Sequence, residues 1–166
     1  MTLRINWFPD PNITKTVGPQ VSDNATMDFP VVNGRNWLRV TTLNAGDPYV
    51  HYSLQGDHLP PAGTYHVHYC TFAKHANAYA RVYAKVGGKY TVISEKEIAD
   101  GTTVDVDVTI TVPDGCKELL IRITAGNVVG AIGMMSDILI ERADTYATAV
   151  GGGLPGFFTG DTMPLG

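Results

Sequence analysis

Alternation with a period of two runs through most of this chain. In "TVDVDVTITV", Val104, Val106, Val108, Ile110 and Val112 alternate with Asp105, Asp107, Thr109 and Thr111. Successive side chains of a strand point to opposite faces, so this pattern predicts a half-buried strand. "PDG" at Pro113–Gly115 supplies turn chemistry, and "KELLIRITAG" resumes the alternation. There Leu119, Ile121 and Ile123 share one face, and Arg122 and Thr124 the other. Upstream, Asn33-Gly34 lies between "FPVV" and "RNWLRVTT" and predicts a hairpin, because both residues tolerate positive φ. "PPAGTYHVHYCTFA" begins a strand after a Pro-Gly break, "AYARVYAKV" is another, Gly87-Gly88 turns it into "KYTVIS", and "MMSDILIER" is the last. About eight strands of ordinary length, spaced by turns, predict an all-β antiparallel sandwich of the jelly-roll kind over 1–142. From 143 to 166 the chain is Gly-rich and loses its period, which predicts an extended C-terminal tail.

The 166 residues suit one domain with a genuine core. A net charge of −4 offers no basic footprint, so nucleic acid and anionic membrane surfaces are not expected partners. The opening "MTLRINWFPDP" lacks a basic segment followed by an apolar one, so no secretory signal is expected, and no apolar run reaches the length of a membrane span. Cys70 and Cys116 form no CxxC pair and read as packed free thiols of a protein made in a reducing cytosol.

Candidate chemistry is sparse. No GxSxG, HExxH, phosphate loop or dinucleotide fingerprint occurs, and an enzyme is not expected. Asp105 and Asp107 share a face but read as solvated strand positions, since an open sheet does not raise the pKa of one partner as a glycosidase needs. His66 and His68 point the same way, and His51 is expected on a neighbouring strand. Three imidazoles on one face could hold zinc, but "HVHYC" is also an ordinary half-exposed strand, and no metal site is assigned. The outer face of "AYARVYAKV" carries Tyr79, Arg81, Tyr83 and Lys85, opposite Ala78, Ala80, Val82, Ala84 and Val86. Tyr49 and His51 offer a second polar-aromatic patch. Rings beside polar groups suit sugar faces and hydroxyls, but they also suit a subunit contact or a solvated sheet, and all three readings stand. Trp7 and Trp37 sit among apolar neighbours and are expected in the core or at the sandwich edge.

Several phrases, in order, carry a resemblance that covers nearly the whole chain: "WFPDPNITKT", "NWLRVTT", "LPPAGTYHVHYCTFAK", "TVPDGCKELLIRITAG", "SDILIERADTY" and "GFFTGDT". Together they are similar to the carbohydrate-binding-module-like jelly-roll domains in minor tail proteins of phages of actinobacteria and other Gram-positive hosts. The family's closing phrase is usually an aromatic, Phe, an acid, Gly, Asp and Thr. Here Phe157 replaces the first aromatic and Thr159 the acid, with Phe158, Gly160, Asp161 and Thr162 matching. The resemblance implies a non-enzymatic virion structural protein at the tail tip. It would contact other virion proteins in several copies, as a homo-oligomer or multicopy assembly, and attach to host cell-wall glycan. A capsid decoration protein is the alternative, and an envelope-degrading glycosidase a distant third. The resemblance also implies a structural calcium held by acids of the first and last strand regions. Asp137 fits the second, but Thr14 and Lys15 stand at the first, and a lysine works against a hard cation. Phe157 and Phe158 are expected to dock the tail on its own sandwich, or on a neighbouring subunit, because both rings left in water would form a costly patch.

Overall fold

The computed structural model describes residues 2–15 and 17–165. Met1, Gly166 and Thr16, which closes the phrase "WFPDPNITKT", lie outside them. The strands are β1 (Leu3–Ile5), β2 (Gln20–Val21), β3 (Ala25–Asp28), β4 (Val31–Val32), β5 (Arg35–Asn36), β6 (Leu38–Thr42), β7 (Tyr49–Leu54), β8 (Gly63–Lys74), β9 (Ala78–Val86), β10 (Lys89–Ile98), β11 (Thr103–Val112), β12 (Glu118–Thr124), β13 (Ile132–Arg142) and β14 (Thr162–Pro164). One helix, α1, spans Ala143–Gly151. Ten strands form two antiparallel five-stranded sheets: a front sheet in the order β10-β9-β12-β7-β2 and a back sheet in the order β11-β8-β13-β6-β3. β1 pairs with β14 and β4 with β5 in two small ribbons.

The period-two pattern decides which side chains meet between the sheets. Val50, Tyr52 and Leu54 of β7, Ala80 and Val82 of β9, and Leu119, Ile121 and Ile123 of β12 point inward. They meet Tyr65, Val67 and Tyr69 of β8, Val106 and Ile110 of β11, and Ile138 and Ile140 of β13 in one apolar core. Phe8 closes it edge-on against Tyr52, with centroids 4.9 Å apart. The two glycine-bearing turns form as their sequences require. Asn33 and Gly34 have φ of 52° and 76°, and Gly87 and Gly88 of 58° and 77°, the hand that matches strand twist in a two-residue hairpin.

β13 carries a bulge between Ser136 and Leu139, with Asp137 at φ 52°. A bulge leaves ladder groups unpaired, and Asn6 takes them: its Nδ2 donates to the Ile138 carbonyl at 3.1 Å, and its Oδ1 accepts from the Ile140 N–H at 2.9 Å. The N-terminal segment is thereby tied to the last long strand.

Three sequence expectations are corrected. The strands outnumber eight because β1–β5 and β14 are too short to show a period. The segment after Arg142 is not extended throughout: α1 occupies its first nine residues, with the Tyr146 ring stacked on His66 at 3.5 Å and Ala149 buried. No side chain caps the start of α1, so tertiary docking supplies what propensity does not. His51 does not share a face with His66 and His68, because the segment between β7 and β8 crosses from the front sheet to the back. Cys70 and Cys116 are free thiols. Trp7 packs at the core's margin, while buried Trp37 belongs to a separate cluster with Cys70 and Met134 on the outside of the back sheet.

Candidate functional site

Strand register brings the two polar-aromatic patches together on the outer face of the front sheet. Glu95, Arg81, Arg122, His51 and Gln20 are successive partners across β10, β9, β12, β7 and β2. Tyr79, Thr124 and Tyr49 form the neighbouring row, and Tyr83, Leu120 and Ser53 the row on the other side.

Arg122 sits at the centre. Its guanidinium carbon lies 3.8 Å from the Tyr49 ring centroid and 4.6 Å from that of Tyr83. Such stacking favours guanidinium over ammonium, since the planar cation lies flat on the ring's negative face. Arg81 repeats the contact beside it, 4.4 Å from the Tyr79 centroid, while its Nε donates to Glu95 Oε2 at 2.7 Å. Tyr49 stacks on His51 at 5.3 Å and 11°. Arg122 Nη2 lies 3.3 Å from His51 Nδ1, and His51 Nε2 lies 3.2 Å from Gln20 Oε1. An arginine can only donate, so Nδ1 accepts and Nε2 carries the proton that goes to Gln20. Burial, then the Arg122 charge, hold the His51 pKa below its usual value, which keeps the ring neutral as that bonding requires.

Glu118 closes one end of the face. Ser53 Oγ and the Tyr90 hydroxyl donate to it, and Gln55 Nε2 donates at 2.7 Å. Burial alone would raise its pKa, but these donors and the Lys85 charge outweigh that and hold it low. The result is a locked surface of half-buried tyrosine rings beside guanidinium, ammonium and carboxylate groups. It sets tyrosine rings, each braced by a guanidinium, next to hydrogen-bond donors and acceptors.

Tyr79, Arg81, Tyr83, Tyr49 and His51 therefore lie on one surface. Arg122, its central group, was missed as a site residue. It was assigned an outward direction in the sequence, but nothing there tells that β12 lies between β9 and β7.

The other sequence candidates lie on the outside of the back sheet. Asp107 Oδ1 bonds both His66 Nε2 at 2.9 Å and His68 Nδ1 at 3.0 Å, while Asp105 is exposed. Phe157 lies 6.1 Å from His68. Phe158 is buried, with the Arg4 guanidinium 4.7 Å from its centroid. Arg4 itself is fully buried and makes a bidentate pair with Glu141, both bonds at 2.8 Å, and its Nη1 donates to the Pro155 carbonyl at 2.7 Å.

A structural calcium finds no fitting donor set. The Asp10 carboxylate, nearest to the first-strand position, already accepts from Thr14 N and Oγ1, both at 2.7 Å, and from Lys15 N at 2.8 Å. Asp137 is paired with Arg35 at 3.4 Å. Among the described residues no group of three or more His, Cys, Asp or Glu is placed to hold a metal ion, and no helix is long and apolar enough to cross a membrane.

No protein-family model matches the chain, and no curated protein matches it in sequence. Solved structures do. The C-terminal family 22 carbohydrate-binding module of Clostridium thermocellum Xyn10B is similar with a TM-score of 0.61 and 14% identity, over 84% of this chain and 91% of that one. TmCBM61, solved in complex with β-1,4-galactotriose, has a TM-score of 0.57 and 16% identity, over 82% of this chain and 98% of that one. The enzymatically active domain of bacteriophage CBA120 tailspike protein 4 has a TM-score of 0.52 and 13% identity, over 78% of this chain but only 20% of the tailspike chain. At these identities the likeness is one of fold: an all-β sandwich of the carbohydrate-binding-module jelly-roll type.

Proposed function

We propose that this chain is a non-catalytic, glycan-binding structural protein of a phage virion, carried at the tail tip, whose front-sheet outer face attaches to host cell-wall saccharide. The observation that carries the binding role is the Tyr49–Arg122–Tyr83 sandwich, extended by Arg81 on Tyr79, on a fold shared with carbohydrate-binding modules. Pyranose rings present an apolar C–H face and an equatorial rim of hydroxyls. Fixed aromatic rings beside guanidinium and carboxylate groups complement both.

The virion setting is supported by the ordered phrases from "WFPDPNITKT" to "GFFTGDT", and by a phage tailspike among the similar folds. Several copies at a tail tip would turn weak single sites into firm attachment through effective concentration. Co-sedimentation of the purified chain with isolated Gram-positive cell walls tests the binding role, and a chain that stays in the supernatant refutes it. Antibody labelling of virions in the electron microscope tests the setting. Label at the tail tip is expected, and label spread over the head would make the chain a capsid decoration protein instead.

A further inference from the structure

The back of the molecule carries a concavity built differently from the front face. A cleft of about 470 Å³ opens between the β4–β5 hairpin, the loop after Phe8, the β13 bulge and the C-terminal segment. Asn12, Asn33, Arg35, Asn36, Asp137 and Phe157 line it. Its size falls within the range of small-ligand sites. None of these residues belongs to the front-sheet face.

The chemistry of the walls narrows the ligand. Three carboxamides each offer a donor and an acceptor side. The one cation and the one anion compensate each other, with Arg35 Nε 3.4 Å from Asp137 Oδ2, so no net charge is left to recruit an ion. A single aromatic ring, Phe157, is the large apolar surface, too little for a lipid or a hydrophobic peptide. Vicinal hydroxyls meeting amide and guanidinium groups, with one C–H face over a phenyl ring, describe a neutral sugar.

The walls are also held in place before any ligand arrives. The Asp10 carboxylate fixes the Thr14 and Lys15 backbone, and Asn36 Nδ2 donates to the Asn12 carbonyl at 3.1 Å, tying the hairpin to that loop. Arg35 is further fixed by Nη1 donating to Cys70 Sγ at 3.1 Å and by lying 5.5 Å over the Trp37 ring. Ile13 and Lys15, on either side of Thr14, hold φ of 54° and 71°. Non-glycine residues in this region persist only where their surroundings over-determine them, and they gather at ligand sites.

We propose that this cleft is a second saccharide site, for a single uncharged pyranose unit, independent of the front face. Two sites on opposite sides of one sandwich would let one chain bridge two glycan strands. The cleft's role stands whether or not the front face binds sugar.

The test is a nuclear magnetic resonance titration of the ¹⁵N-labelled full chain with the methyl β-glycosides of glucose, galactose, xylose and N-acetylglucosamine. With at least one of them, the backbone amides of residues 33–36 and the carboxamide signals of Asn12, Asn33 and Asn36 should shift saturably. Asn33→Gly removes one carboxamide while glycine keeps the positive φ of the turn, and Phe157→Ala removes the ring. Each should weaken that binding by about tenfold, the scale of one lost wall contact. Cleft signals that stay still with every glycoside, or a titration unaltered by both substitutions, overturn the proposal. Signals of Tyr83 and Arg122 report the front face separately, so failure of one site is not read as failure of the other.

Discussion

The strands "GTYHVHYCTFAK" and "AYARVYAKV" read alike, each with an apolar inner row and an outer row of rings and polar groups, yet their outer faces end differently. The outside of β8 is covered by the chain itself: Tyr146 lies on His66, Phe157 lies near His68, and the Arg4–Glu141 pair sits buried beside Phe158. Among the described residues the outside of β9 has no such cover, and its tyrosines are braced by arginines of the same sheet. Covering one face makes it part of the fold's stability, and bracing the other makes it rigid while leaving it reachable.

The contrast is broken most severely at Arg4. Replacing Arg4 or Glu141 with alanine strands the partner's charge under the tail and should cost about 3–5 kcal/mol, read as a lower urea midpoint. Deleting the chain from Gly153 onward uncovers the same pair and removes Phe158 and β14. Loss of Phe158 burial alone should cost about 2 kcal/mol. An unchanged melting curve would instead assign the tail to a partner's surface.

Acidity should weaken both faces modestly. Burial lowers the pKa of His66 against the opposing bond and charge of Asp107 and the charge of Glu141, with His68 adding slightly to the lowering. Burial, then the Arg122 charge, lowers that of His51 against the opposing charge of Glu118. The unfolded chain, with imidazoles titrating near about 6.5, then binds these protons more tightly than the folded one. Stability should therefore fall as pH drops through that value. Burial alone would raise Asp107, but bonds from His68 and His66 hold it low, so its own contribution is lost only further down, as pH falls through the carboxylate range. Urea midpoints at pH 7.5 and pH 5.5 check this, as choices of condition about one unit either side of the imidazole value. His51→Gln with His66→Gln should flatten the difference.

The sequence shows the long strands plainly, because β8, β9, β11 and β12 each turn one alternate row into the core, and its two glycine turns name their hairpins. It does not show which strands are neighbours. Arg122 became central only because β12 inserts between β9 and β7, a crossover that no local pattern encodes. The helix at Ala143–Gly151 was illegible for a related reason: the segment has no capping side chain and runs into glycines, and its docking on His66 comes from a strand more than 70 residues earlier. The cleft behind Asp137 likewise depends on a bulge that Asn6 stabilises from the far end of the chain.

The smallest expected change in stability accompanies the most informative change in binding. Tyr79→Ala with Tyr83→Ala removes half-buried rings whose arginine contacts are worth about 1 kcal/mol each, so the fold should survive with a slightly lower melting temperature. The direct measurement is co-sedimentation of wild type and this double variant with isolated Gram-positive cell walls, alongside their melting curves. The wild type should pellet with the walls, and the folded variant should pellet far less, any remainder being held by the cleft behind Asp137. A folded variant that pellets as wild type does would contradict the claim that the front face is where this protein holds glycan.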